Sequence, residues 1–125
     1  MSNVKMYQDI GAYSEVLGSS SCQQIHLLMT RVKTDLKGAI GALEYNDIAT
    51  KCKCISSANA IVSYLRDCLN FDAEGDIAPR LEGIYSHLEK QLFLANAENR
   101  VDVLQQCLVI MENVHVWWRQ IAELS

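Results

Sequence analysis

The stretch that decides the fold is SSSCQQIHLLMTRVKTDLKGAIGAL, residues 19–43. It opens on Ser20 and Ser21, each followed three positions later by a glutamine, which is the pattern of a helix capping box. Apolar residues then recur at spacings of three and four, which predicts one buried helix face. They are Ile25, Leu28, Met29, Val32, Leu36, Ala39, Ile40 and Leu43. The stretch therefore predicts a long helix that ends near residues 44–46.

Two further segments show the same periodicity. Asp47 or Asn46 is placed to cap a second helix, and its core stripe is Ile48, Cys52, Ile55, Ala58, Val62, Leu65 and Leu69. Turn-forming residues at 70–75 predict its end. Asp76 is placed to cap a third helix, with Pro79 in the first turn, where its missing N–H costs nothing. The third stripe is Ile77, Leu81, Ile84, Tyr85, Leu88 and Leu92.

The fourth predicted helix, residues 100–124 with Asn99 as its cap, carries two overlapping apolar stripes. One is Val101, Leu104, Leu108, Met111 and Trp118, interrupted by His115. The other is Val103, Cys107, Ile110, Val114, Trp117, Ile121 and Leu124. A helix in a small bundle needs one such stripe. This helix therefore has more apolar surface than a four-helix core consumes.

Four helices with short connections predict an all-α protein, an antiparallel up-down four-helix bundle. Residues 19–125 would form this single domain. Residues 1–18 stand apart, because two glycines weaken a helix there. Their apolar residues still recur at helical spacing, so we expect an N-terminal extension packed on the bundle. These apolar residues are Val4, Tyr7, Ile10, Tyr13 and Leu17.

Composition excludes several classes of protein. The net charge is -4 with no field of basic residues, so a nucleic acid is not an expected partner. No apolar run reaches the roughly 20 residues that span a bilayer, so we expect no stable membrane insertion. An acidic residue, Asp9, stands where a signal peptide would be apolar. Five cysteines without a regular framework indicate reduced thiols, and hence the cytoplasm.

No motif makes a convincing catalytic or metal site. Glu112 and His115 form one Glu-x-x-His pair, but a di-iron bundle needs two such pairs. Cys52 and Cys54 are two residues apart on a helix and point away from each other. The sequence thus predicts no enzyme, no metal and no cofactor, with a carboxylate-metal bundle enzyme as the alternative.

The surplus apolar surface has two interpretations that the residues leave open. One is a well-filled core with a possible homodimer interface. The other is a groove for an amphipathic partner helix. The second predicted helix supports the groove, because Cys54, Ile61, Tyr64 and Cys68 lie on a face next to its core stripe.

The order of short motifs resembles the flagellin-specific export chaperones, the FliS family, across nearly the whole chain. The most specific segment is residues 75–88, which contains Gly-Asp-Ile-Ala and then Leu-Glu-Gly-Ile-Tyr. Leu94-Ala95-Asn96 and the two tryptophans near the end agree. Two departures mark a divergent member: Cys22 follows Ser21 where the family has proline, and residues 29–33 replace a Leu-Tyr-Asp-Gly-Ala motif.

The resemblance implies a bacterial cytosolic chaperone without a cofactor. Such proteins bind the disordered C-terminal segment of flagellin, prevent premature polymerisation and deliver it to the flagellar type III export gate. A chaperone or adaptor for another secretion or flagellar substrate is the alternative. We expect the flagellin-binding residues to be Tyr7, Ile10, Tyr13, Cys54, Ile61, Tyr64, Cys68, Ile84, Tyr85 and Leu88, although Tyr85 is equally well placed for the core.

Overall fold

The computed structural model describes the backbone of residues 10–71 and 75–123 and the side chains of residues 23–71 and 75–121. Four helices make up most of this: α1 (Ile10–Glu44), α2 (Ile48–Asp67), α3 (Ile77–Glu98) and α4 (Val101–Glu123). The described residues contain no strand. The predicted all-α fold is confirmed.

The helices form a closed ring in chain order. Helix α1 packs against α2 and α4, and α3 packs against the same two helices. The start of α2 lies beside the end of α3, because Lys51 Nζ donates to the backbone oxygen of Asn96 over 2.9 Å. Since the same two helices also meet through Arg66 and Ser86, they run antiparallel. The result is the predicted up-down bundle.

Left-handed asparagines end two of the helices. Asn46 follows α1 with φ 58°, and Asp47 then caps α2 by accepting a 3.1 Å hydrogen bond from the Thr50 N–H, as predicted. Asn99, with φ 53°, ends α3 rather than capping α4, which corrects its predicted role. Asparagine suits both sites because its short polar side chain tolerates the left-handed region.

The predicted cap of α3 is only half right. Asp76 occupies the N-cap position, but its side chain makes no capping hydrogen bond. Its backbone is not in the extended conformation typical of a cap (φ -113°, ψ 14°). The carboxylate instead lies 3.7 Å from the Arg80 guanidinium.

The predicted start of α1 at the serines is wrong, since α1 begins at Ile10. A capping box marks a start only where the preceding residues do not continue the helix. Here Ile10, Tyr13 and Leu17 continue the apolar spacing that begins again at Ile25. Two glycines cost about 1 kcal/mol each in a helix, which is too little to stop it. The division at residue 18 stays a prediction.

The core is built from the predicted stripes of all four helices. Its largest fully buried side chains are Trp118, Tyr85, Ile25, Met29, Leu36, Leu65, Leu88, Leu92 and Leu104. Two predicted core positions of α2 are wrong: Ile48 is 43% exposed, and Cys52 is only half-buried. They lie at the end of the bundle, where Lys51 is buried instead because its ammonium group bonds to Asn96.

Candidate functional site

Three of the expected binding residues lie in the core. Tyr85 is 0% exposed, and Leu88 and Cys68 are 1% exposed. A partner cannot reach these side chains without displacing other core residues. The structure therefore places Tyr85 in the core, the second of the two positions that its sequence allowed, and the binding role of these three residues stays a prediction.

Three others lie on the side of α2 that faces α1. Cys54, Ile61 and Tyr64 are half-buried, and a Cβ added to Gly38 of α1 would come within 2.9 Å of Cys54 Sγ. The tight contact with α1 thus covers much of this face. Burial raises the pKa of Cys54 and of Tyr64, so both groups stay neutral at pH 7.

The remaining expected residues lie elsewhere. Ile84 faces α4, across the ring from the seam between α1 and α2. Tyr7 lies outside the described residues. Ile10 and Tyr13 belong to the first turns of α1, and their side chains also lie outside the described part. The expected residues whose side chains the structure describes therefore do not all lie at one place.

The seam between α2 and α3 is closed by polar contacts. Lys51 Nζ donates to Asn96 Oδ1 over 2.8 Å, and Ser63 Oγ donates to Glu89 Oε2 over 2.7 Å. Arg66 lies 2.9 Å from Glu89 Oε1. A shallow concavity of about 130 Å³ beside these contacts includes Ser56, Asn59, Glu89 and Asn96 in its lining. Its lining also includes Ile55, Leu92 and Phe93, so this concavity is a mixed polar and apolar surface and not a mainly apolar groove.

An apolar groove of about 230 Å³ lies between α3 and α4. Helix α3 contributes Ile77, Leu81 and Ile84 at spacings of three and four, so that all three point to one side. Helix α4 contributes Val114 and Trp117 from its second apolar stripe. The two polar residues of the lining are Arg80 and Asn113. We name these seven residues the α3/α4 groove.

Further apolar side chains lie on the outer side of α4. Val109 is 55% exposed and Val116 is 45% exposed. Ile110 and Ile121 pack against the core only partly. Both predicted stripes contribute to the core, since Val103, Cys107 and Val114 of the second stripe are buried. The apolar surface beyond the core consists of the half-buried residues of the second stripe and of the exposed Val109 and Val116. Exposed apolar surface of this kind is typical of interaction sites.

The sequence pointed to the fourth helix but not to its individual groove residues. The second stripe was the available signal for Val114 and Trp117. Arg80 and Asn113 gave no signal, because a polar residue on an amphipathic helix is expected to face solvent. Only the packing of α3 against α4 shows that these two residues line the groove.

On the side of α4 away from the groove, a pair of histidines joins this helix to α1. His115 Nε2 and His26 Nδ1 are 2.7 Å apart, so one ring donates and the other accepts. His115 is buried, and its Nδ1 has no hydrogen-bond partner. Burial, together with the nearby Lys33, His26 and Arg119, lowers the pKa of His115 to about 4.

The two residues of the Glu-x-x-His pair do not form a joint site. Glu112 is exposed while His115 points into the bundle, so their side chains do not converge. Among the described side chains, no group of three or more His, Cys, Asp or Glu residues is placed to hold a metal ion. Cys52, Cys54, Cys68 and Cys107 are free thiols.

Over the described range, no helix has both the length and the apolarity to cross a membrane. This agrees with the sequence, in which charged residues interrupt every apolar stretch.

The chain is similar to known flagellar proteins over its whole length. The family model described as "Flagellar protein FliS" matches residues 2–125. The flagellar secretion chaperone FliS of Salmonella typhimurium is 28% identical over 122 residues, which are 97% of this chain and 90% of that protein. FliSB of Pseudomonas aeruginosa is 28% identical over 118 residues, 94% of each chain. FliS of Vibrio cholerae is 25% identical over 95% of this chain and 88% of its own. The chain therefore belongs to the FliS family of flagellar proteins.

Proposed function

We propose that this protein is a cytoplasmic flagellar secretion chaperone whose client is the C-terminal segment of a flagellin. One observation carries the proposal: an open apolar groove lies between α3 and α4, and further apolar side chains are exposed on the outer side of α4. The similarity to proteins named flagellar secretion chaperones supports the flagellar role.

The groove suits an amphipathic helix. Ile77 and Ile84 are seven residues apart, about 10 Å along α3, which matches two turns of a partner helix with anchors at i, i+3, i+4 and i+7. A client segment that is disordered when free would order on this surface. It would bury apolar area at the expense of chain entropy.

Coupled folding also explains the two tasks of an export chaperone. While the client segment lies in the groove, it is not available for polymerisation with other flagellin subunits. Because ordering the segment reduces the net affinity, the client is released without a nucleotide or a metal. We propose that release occurs at the flagellar export apparatus.

The N-terminal segment is proposed to compete with the client. Tyr7, Ile10 and Tyr13 carry large apolar side chains that suit the same kind of surface. If they occupy the groove when no client is bound, the apparent affinity falls by the fraction of chaperone in the open state. Deleting residues 1–14 should then strengthen client binding, and a loss of affinity would show that the segment forms part of the binding surface.

The direct test is calorimetry with a peptide of the C-terminal segment of the flagellin encoded in the same genome. Binding should show a negative heat-capacity change, the mark of apolar burial. Trp117→Ala and Ile84→Asp should weaken binding at least tenfold, because both residues line the groove. Phe93→Ala is the matched control, since Phe93 is an apolar residue of α3, 77% exposed, on the side away from α4.

The calorimetry can contradict the proposal in two ways. If no flagellin peptide binds, flagellin is not the client. A peptide from another exported flagellar protein that binds in a Trp117-dependent way would then identify the chaperone's substrate. Equal effects of Phe93→Ala and Trp117→Ala would show that binding does not use the α3/α4 groove.

A further inference from the structure

The α3/α4 groove has one charged residue in its lining, and that residue is cationic. From its position we infer that the client segment presents a carboxylate to Arg80, so that its acidic end docks at the start of α3. This inference rests on the proposed function and adds the chemistry and direction of the bound segment.

Arg80 is available for such a contact. Its guanidinium group has an ion pair with Asp76 at 3.7 Å, and both side chains are 75% exposed. A pair of this length and exposure stabilises a protein by little, so a client carboxylate can replace Asp76. Arginine also offers five N–H donors in a planar fork, of which a carboxylate takes two.

The surroundings of Arg80 favour an anion. Arg80 lies in the first turn of a 22-residue helix that has no acidic residue in that turn. Because the Asp76 side chain makes no capping hydrogen bond, it does not satisfy the first backbone N–H groups of α3, and the positive end of the helix dipole favours a further anion. The dipole alone would not define a site, but here it adds to the charge of Arg80 beside an apolar groove.

The opposite wall supplies a second donor. Asn113 of α4 lines the same groove as Arg80 of α3, and its amide nitrogen is able to donate to a carboxylate. A client helix would thus place apolar anchors on Ile77, Ile84 and Trp117 and a carboxylate at Arg80, with Asn113 as a further donor in the same groove.

The first experiment compares Arg80→Glu with Lys90→Glu in calorimetry with the flagellin C-terminal peptide. Lys90 is the matched control, because it is an exposed cation on the same helix outside the groove. Arg80→Glu should weaken binding about tenfold, whereas Lys90→Glu should change it less than twofold. Raising the salt concentration should weaken the wild type and leave Arg80→Gln nearly unchanged.

The second experiment identifies the carboxylate. One peptide carries a C-terminal amide instead of the free carboxylate, and others carry single Asp→Asn or Glu→Gln changes. The source is the change that weakens wild-type binding but has no effect on Arg80→Gln. Asp76→Asn should strengthen binding of the unmodified peptide about twofold, because it removes the competing carboxylate.

The outcomes separate the two proposals. If Trp117→Ala weakens binding while Arg80→Glu does not, the groove binds the client and the inference about Arg80 is wrong. If every peptide change acts equally on the wild type and on Arg80→Gln, the inference is also wrong. Absence of binding by the wild-type protein overturns the proposed function, and the inference with it.

Discussion

Helix α3 meets its two neighbours in opposite ways. Towards α2 it presents Ser86, Glu89 and Asn96, which bond to Arg66, Ser63 and Lys51. Towards α4 it presents branched apolar residues that leave an open groove. One helix thus carries a polar seam and an apolar seam on two of its sides.

The difference shows how a small bundle keeps its fold while it exposes a binding surface. Hydrogen bonds and ion pairs are directional, so the polar seam fixes how α2 and α3 align along their axes. Apolar contact is non-directional, so the apolar seam accepts another helix without a specific partner atom. Of the groove residues, Leu81 and Val114 belong to the core, whereas Ile77, Ile84 and Trp117 are only half-buried.

The largest expected effect on stability comes from comparing substitutions at two adjacent residues of α3, Ile84 and Tyr85. Tyr85→Ala should lower the free energy of unfolding by about 3–5 kcal/mol, because it empties a core site that is fully buried. Ile84→Ala should cost only about 1 kcal/mol, because its side chain is partly exposed. Urea unfolding followed by circular dichroism measures both. Equal losses would show that the groove belongs to the core.

The contact between α1 and α4 makes the stability of the protein depend on pH. The unfolded chain binds a proton at His115 near pH 6.5, but the folded chain does so only near pH 4. Between these values the unfolded state holds more protons, so stability falls as the pH falls. The total loss should approach about 3 kcal/mol at about 1.4 kcal/mol per pKa unit.

Two histidine variants test whether His115 causes this pH dependence of stability. His115→Gln should flatten the decrease in stability between pH 6.5 and pH 4, whereas His87→Gln, at an exposed position, should preserve it. Urea titrations at several pH values give the slopes. A slope that persists in His115→Gln would assign the effect to other groups.

The contribution of the polar seam to stability is tested by replacing its buried lysine, Lys51. Lys51→Met should cost about 1–3 kcal/mol, because two oxygens of Asn96 lose their donor inside the protein. Lys53→Met, on the exposed side of the same helix, should change stability by less than about 0.5 kcal/mol. A Lys51→Met variant as stable as the wild type would mean that apolar contacts align this seam too.

The smallest expected effect belongs to Arg66 and Glu89. Their side chains are 35% and 18% exposed and 2.9 Å apart. A double-mutant cycle with alanine at both positions should give a coupling energy of about 0.5–1 kcal/mol. The coupling should shrink in 1 M salt. A coupling of zero would leave Ser63 and Lys51 as the residues that fix the seam.

Helix number, order and most boundaries follow from the sequence, because apolar periodicity and turn residues are local signals. The start of α1 does not follow in the same way. A capping pattern at Ser20 and Ser21 competes there with apolar residues that continue the helix upstream to Ile10. Local chemistry allows either outcome, and only packing decides between them.

The binding surface was harder to predict than the fold. Ile61 and Tyr64 lie beside a predicted core stripe and Ile84 lies within one, but the sequence does not say which helices these residues face. In the bundle, Ile61 and Tyr64 lie beside α1, whereas Ile84 faces α4. The contribution of α4 was visible as a second stripe, but Arg80 and Asn113 looked like ordinary solvent-facing residues.

The left-handed asparagines at residues 46 and 99 have a consequence for the rate of folding. Each joins two antiparallel helices through a very short turn, so many native contacts form between residues that are near in sequence. Helical bundles of such low contact order fold in about microseconds to milliseconds. A ribosome adds only about 5–20 residues per second. The bundle is therefore expected to finish folding within the time that the ribosome needs to add one residue to a client chain.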